Sequence, residues 1–280
     1  MNDDVNQGPV KGVGKMVKVL LVDGHNLIRR IYEASPERRR LAPESAEEVL
    51  TSSLRSLQRA LLTHKPSHCV VVFDSHDETW RHRLYAEYKQ GRSKTPEMLL
   101  TGLSAFERVF LEIGVKSFTF AGYEADDVIA TMADRISKSG SQAVILSSDK
   151  GFLQLLDKQV RVFNHFDQKE LDAKFVSEKF EVEVNQLTSF WSLAGDSSNN
   201  IKGVPKIGKK TAVLLLQKYD LLQDIYNDVG ATGPAEKVQA HEALASLCQS
   251  LVTLKTDVAL DINLKTFRLD KPQSGLDTSQ

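Results

Sequence analysis

Short apolar runs with the composition of buried strands recur along this chain, and each ends in or leads to a carboxylate. VKVLLVD closes at Asp23, CVVVFD at Asp74 and AVILSSD at Asp149, while the run from Lys116 to Ala121 leads into GYEADD, with Glu124, Asp126 and Asp127. Between these runs lie stretches with apolar residues at helical spacing, such as Val49, Leu50, Leu54, Leu57 and Leu61 within Ser45 to Leu62. Further helices are expected from Thr95 and Pro96 to Ile113, stopping at Gly114, and from Glu124 to Gly140. With strands at about 17–23, 69–74, 116–121, 143–147 and 160–163, the pattern predicts an α/β fold with a mostly parallel central sheet and helices on both faces. In such a sheet ligands bind at the carboxyl ends of the strands, so the acids should converge in one crevice.

The remainder of the chain divides by composition. Residues 1–15 are polar and glycine-rich without periodicity and read as a disordered extension or tag. The α/β core is expected over 16–171, a helical region over 172–270, and a disordered tail over 271–280. At 280 residues the chain can bury a full core without staples. Cys69 and Cys248 lack metal-ligand spacing and read as small core residues, a usage that fits a reducing cytoplasm. No apolar run approaches the roughly 18 residues of a membrane span, so a soluble cytoplasmic protein without a membrane partner is expected. A formal net charge of −1 leaves a nucleic-acid partner open, because an acidic site offsets a basic surface in the sum. No heptad pattern marks a symmetric interface, which makes a monomer the default.

Taken one at a time, the acids have ordinary structural explanations. The GYEADD carboxylates would sit near the positive end of a helix, Asp149 would cap a helix, and Asp74 would occupy a strand-end turn. Their common placement favours a site instead. Like charges brought together cost free energy unless hard cations neutralise them, and oxygen donors suit magnesium or manganese. Two ions about 3.5–4 Å apart, bridged by carboxylates, would stabilise both the attacking and the leaving oxygen in phosphodiester hydrolysis.

Two basic segments accompany the acids. WRHRLYAEYKQGRSK, Trp80 to Lys94, leads directly from the Asp74 strand end. A solvated basic helix face would look similar, but its position makes Lys89 and Arg92 candidates for clamping a phosphate, with Tyr85 or Tyr88 stacking on a base. His82 reads as a surface residue. LAGDSSNNIKGVPKIGKKTA, Leu193 to Ala212, places Gly203 and Gly208 about a tight turn between two helices, with Lys206, Lys209 and Lys210 around the second helix start. This is the form of a helix-hairpin-helix that holds a nucleic-acid backbone without reading its sequence.

VDG, VFD, WR with YK and GR, GYEADD, SSDKG, GDSSNN and GVPKIG occur in an order that resembles the 5′-nuclease superfamily, from about Met16 to Leu254. That superfamily includes flap endonucleases and the 5′-nuclease domain of bacterial DNA polymerase I, and the likeness is nearest to its stand-alone bacterial Xni or exonuclease IX type. The resemblance implies a PIN/5′-nuclease-like fold and a magnesium-dependent nuclease that takes a 5′ single strand under a helical arch and cuts DNA near a single-strand to duplex junction. By position it makes Asp74, Glu124, Asp126 and Asp127 a first metal site with Asp23 behind them, and Asp149 and Asp196 the remnant of a second. Lys89 and Arg92 match its active-site cations. It further implies potassium held by the backbone carbonyls of Leu193, Ala194, Lys202, Val204 and Ile207. Lys206, Ile207, Gly208, Lys209, Lys210 and Thr211 would then face DNA, and a nucleoid-associated location is expected.

The chain departs from the superfamily pattern at two acids. An Asp usually follows Asp149 by two residues, where this chain has Gly151, and GDSSDN is here GDSSNN, with Asn199. An amide accepts from bound water but adds no charge, so a second ion should bind weakly. A flap- or junction-binding DNA protein with little turnover is therefore a competing expectation. An RNA nuclease of PIN type shares the strand-end acids but leaves the hairpin unexplained.

Overall fold

The computed structural model describes residues 17–35, 43–75 and 77–269. The extension expected at 1–15 and the tail expected at 271–280 lie outside the described residues.

A six-stranded sheet in the order β3-β2-β1-β4-β5-β6 organises the molecule. β1 (Lys18–Asp23), β2 (His68–Phe73), β3 (Lys116–Thr119), β4 (Gln142–Leu146) and β5 (Val160–Asn164) run parallel, and β6 (Lys169–Leu171) returns antiparallel to β5. Because strand side chains alternate, β1 serves two cores. Val19 and Leu21 join Val70, Val72 and α6 (Ala125–Lys138), while Leu20 and Val22 join Cys69, Val71 and Phe73 against α1 (Gly24–Ala34), α2 (Pro43–His64) and α5 (Leu103–Glu112). All four β1 residues are fully buried, each contributing about 1.5–3 kcal/mol of apolar burial. Cys69 and Cys248 are both buried and unpaired, as small core residues.

The structure differs from the sequence reading in local detail. The helix expected from Thr95 to Ile113 is two, α4 (Glu97–Thr101) and α5, because the chain leaves helical geometry at Gly102. α1 was not anticipated. β6 is only three residues long, too short to carry a period. The basic segment forms only the five-residue α3 (Trp80–Leu84), followed by turns rather than a continuous helix.

Beyond Asp172 the described residues form α7 (Ala173–Phe180), α8 (Leu187–Ala194), α9 (Lys209–Lys218), α10 (Leu222–Asn227), α11 (Pro234–Ala240) and α12 (Glu242–Val252). Their apolar faces are continuous with the sheet: Leu187, Leu193, Ile207 and Leu216 belong to the same core as Val19 and Leu21. This shared core fixes the α8–α9 hairpin beside the strand ends. Among the described residues no helix is long and apolar enough to cross a membrane.

Candidate active site

Parallel register brings the strand ends together. Asp23 pairs with Val72 and Val22 with Leu146, so Asp23, Asp74 and Asp149 emerge at one edge, joined by Glu124 and Asp126 from the start of α6. The five acids line one cleft of about 560 Å³ with His25, Arg29, Lys89 and Arg92. A second cleft of about 390 Å³ shares Asn26, Glu124, Asp126 and Asp149 and carries the surface on to Gly151, Asp196, Asn199 and Lys209.

The acids are not electrostatically equivalent. Asp23 caps α1, accepting from the Asn26 N–H at 3.0 Å, and accepts from Ser147 Oγ at 2.9 Å. Burial, reinforced by Asp74 and Asp149, still pushes its carboxyl up to about 7. Asp126 is raised as well, by burial first and then by Asp149 and Asp23. Glu124 is the opposite case. Burial works to raise it, but Lys89 and Arg81 outweigh burial and hold it below the usual range. Lys89 Nζ donates to Glu124 Oε1 at 2.5 Å, while Arg81 Nη1 and the Tyr88 hydroxyl donate to Oε2, both at 3.0 Å. Asp74 Oδ1 accepts from the Ala125 N–H at 2.7 Å, which ties the β2 end to the start of α6.

Three expectations are corrected by the contacts of this region. Asp127 does not line either cleft. Its carboxylate is fully buried and accepts from Arg81 Nη1 (2.7 Å), Arg81 Nη2 (2.9 Å), Trp80 Nε1 (2.9 Å) and the Lys255 N–H (2.9 Å). Fully buried and outside both clefts, which Glu124 and Asp126 line, it is an internal counter-ion to Arg81. Tyr88 is 5% exposed, with its hydroxyl on Glu124, so it offers no face to a base. Tyr85 is half-buried and donates to Glu87 at 3.2 Å. His82 is half-buried too, contacting Thr79 Oγ1 and the Tyr88 ring, rather than a plain surface residue.

Arg81 is one residue holding the site together that sequence reasoning missed. Only 1% exposed, it also donates to the carbonyls of Leu251 and Thr253, so it joins the acids of α6 to the end of α12. Nothing in WRHRL distinguishes it from Arg83, which is exposed. His25, Asn26 and Arg29 on α1 were missed with the helix itself. His25 Nδ1 accepts from the Asp74 N–H at 3.1 Å, and Asn26 holds the Ser148 N–H at 3.1 Å.

The hairpin is closed by two glycines. At Gly195 (φ +82°) a Cβ would lie 2.6 Å from the Ile201 carbonyl, and at Gly203 (φ +70°) one would lie 2.4 Å from the Gly195 nitrogen. The chain therefore crosses itself where no side chain fits. Gly208 flanks the turn at the start of α9, as its spacing implied, but with an ordinary φ of −89° and nothing within 4 Å of where a Cβ would lie, so the geometry does not itself demand glycine there. Lys206, Lys209 and Lys210 are exposed around this helix start and Thr211 is half-buried, whereas the Ile207 side chain is buried. Of the carbonyls at Leu193, Ala194, Lys202, Val204 and Ile207, that of Leu193 accepts from the Val204 N–H and that of Val204 from the Ile207 N–H. Asp196 is occupied within its own loop, by the Ser198 N–H and hydroxyl and by Asn199 Nδ2 at 2.6 Å.

The donor set is hard and all oxygen, and the burial that raises Asp23 and Asp126 is a cost that a bound cation would relieve. By chemistry the residues fit a divalent ion. Among the described residues no group of three His, Cys, Asp or Glu side chains is assembled to hold one unaided, so a bound ion would need water or substrate oxygens as well.

The fold has known counterparts. A zinc-bound structure of the 5′-exonuclease of bacteriophage T5 superposes with a TM-score of 0.73 at 23% identity, covering 85% of this chain and 90% of that one. The fold is thus that of the T5 5′-exonuclease. Residues 18–181 match the family described as 5′-3′ exonuclease, N-terminal resolvase-like domain, and residues 182–275 match 5′-3′ exonuclease, C-terminal SAM fold. Flap endonuclease Xni of Shewanella pealeana is 41% identical over 262 residues, covering 92% of this chain and 100% of the relative. Flap endonuclease Xni of Psychromonas ingrahamii is 38% identical over 252 residues, covering 89% and 96%. The chain belongs to this 5′-3′ exonuclease family of nucleases.

Proposed function

We propose that this protein is a structure-specific 5′ flap endonuclease and 5′–3′ exonuclease that hydrolyses DNA phosphodiesters at single-strand to duplex junctions with magnesium. The observation that carries the reading is the single cleft in which Asp23, Asp74, Glu124, Asp126 and Asp149 face Lys89 and Arg92. A divalent ion bound there, magnesium or manganese, would supply an activated water and neutralise the charge that develops on the phosphate. Asp74, Glu124 and Asp126 would hold it, with Asp23 behind them. Lys89 donates to Glu124 and exposed Arg92 lines the same cleft, which supports a role for both in binding a phosphate oxygen. The exposed lysines and free backbone N–H groups at the start of α9 would hold the duplex backbone, which positions without reading sequence. Potassium at the crossed hairpin would use its carbonyls. Such a protein would act as a monomer on nucleoid DNA in the cytoplasm, with the Trp80 to Lys94 segment forming the base of an arch.

One observation favours a second reading. Gly151 brings no carboxylate, and the Asp196 carboxylate is satisfied by Ser198 and Asn199, so a second ion has little to bind. On that reading the protein binds flaps and turns over poorly. Flap duplexes labelled at either end, incubated with magnesium, manganese or EDTA, decide between the two. Metal-dependent cutting near the junction is expected, and tight binding without product in either metal would overturn the enzyme reading.

A further inference from the structure

The second Asn of GDSSNN lines neither cleft, yet its side chain crosses between the hairpin and the turn that carries Lys89. Asn200 Nδ2 donates to the Glu87 carbonyl at 2.7 Å, and the Lys89 N–H donates to the Asn199 carbonyl at 2.9 Å. Lys202 Nζ reaches Glu87 Oε2 at 3.1 Å, and Tyr88 packs with Ile201, Cys248 and Leu251. Every residue from Glu87 to Lys89 is thus fastened to the loop from Asn199 to Lys202.

The fastening has a purpose in backbone terms. Lys89 has φ +56°, a left-handed conformation unfavourable for a lysine, and Asn200 has φ +55°. A residue with a Cβ stays in that region only where its surroundings hold it, against a cost of about 1–2 kcal/mol. Within its own turn the Lys89 segment has the Tyr88 N–H to Tyr85 carbonyl, Gln90 N–H to Glu87 carbonyl and Arg92 N–H to Lys89 carbonyl bonds, none of which uses the Lys89 N–H. The hairpin adds the bond to the Lys89 N–H and the Asn200 bond to the Glu87 carbonyl, and the Lys89 ammonium reaches Glu124 from the position so defined.

We propose that Asn200 is a positioning residue for strand cleavage: it straps the Lys89 turn to the hairpin loop, so that the element gripping the duplex also sets where the Lys89 ammonium stands over the cleft. This rests on the nuclease reading above. The exposed Glu87–Lys202 pair adds little, because such pairs are screened, and the bonds that fix the backbone, from the Asn200 amide to the Glu87 carbonyl and from the Lys89 N–H to the Asn199 carbonyl, carry the strap.

Asn200→Gly is the test, since glycine keeps the left-handed backbone while deleting the amide. Three readouts are made on the full-length protein: the single-turnover rate on a flap duplex at saturating enzyme, the Kd for that duplex in EDTA, and deuterium exchange over residues 85–92. The expected result is a rate at least tenfold lower, a Kd within twofold of wild type, and exchange at least tenfold faster at the Lys89 amide. A slower rate with unchanged exchange would overturn the strap, and faster exchange with an unchanged rate would overturn the positioning role. Loss of binding together with a lowered Tm would also overturn it, assigning Asn200 to hairpin stability alone. If the wild-type protein binds the flap but does not cut it, the nuclease reading fails by itself, and the exchange experiment still decides the strap.

Discussion

Replacing Asp127 and Asp126 by Asn separates two neighbouring carboxylates that the sequence presents as a pair. Asp127 accepts four hydrogen bonds at 2.7–2.9 Å, two of them from a guanidinium that is 1% exposed. Asp127→Asn removes the charge that compensates Arg81 and turns one acceptor into a donor facing other donors. Breaking one side of a buried ion pair costs about 3–5 kcal/mol, and Glu124, which remains on Arg81 Nη1 at 3.0 Å, places the loss near the lower end. With a urea dependence of about 3 kcal/mol per molar for a chain this size, the unfolding midpoint should fall by about 1 M. Asp126→Asn behaves oppositely. Its carboxyl is raised by burial and by Asp149 and Asp23, so removing the charge leaves the metal-free protein at least as stable at neutral pH while abolishing magnesium-dependent cleavage. The assay is urea unfolding in EDTA, followed by the fluorescence of Trp80 and Trp191, beside flap cleavage in magnesium. A midpoint for Asp127→Asn within about 0.2 M of wild type, with cleavage abolished, would refute the counter-ion assignment and return Asp127 to the metal.

Other expectations follow from the same geometry. Gly151→Asp with Asn199→Asp should lower the magnesium concentration needed for half-maximal cleavage several-fold, because it adds two carboxylates beside Asp149 and Asp196; an unchanged magnesium titration would count against a reduced second site. His64 and His165 are held below their ordinary value of 6.5, chiefly by burial, so below that pH the unfolded chain takes up protons that the fold refuses, and their contribution to stability falls as pH drops. His165 Nδ1 is buried without a partner, so His165→Phe should flatten the wild-type loss of urea midpoint between about pH 7 and 5; parallel curves would refute this. Changing Lys206, Lys209 and Lys210 together to Ala should weaken duplex binding on every sequence and lower the salt slope by up to about three, read from Kd across a salt series. An unchanged slope would remove the hairpin from the duplex.

The strand-end placement of the acids was legible because a parallel sheet leaves little choice: a buried apolar run must stop where the chain meets water, and adjacent parallel strands stop side by side. That logic carried Asp23, Asp74, Glu124, Asp126 and Asp149 into one cleft, and glycine spacing carried the α8–α9 hairpin. Periodicity said nothing of β6, with three residues, and it read a single helix through Gly102. Which carboxylate of GYEADD faces the cleft depends on what α6 packs against, and Asp127 is claimed by Arg81, Trp80 and Lys255 from distant parts of the chain. The same holds for Arg81 and Tyr88: composition marks them as a cation and an aromatic ring available to substrate, and burial makes them the frame that holds Glu124. Local pattern decides which elements form and where their ends fall. The partner of a charged side chain is decided by long-range packing, because an ion taken out of water must be matched by whatever counter-charge the fold brings within hydrogen-bond distance.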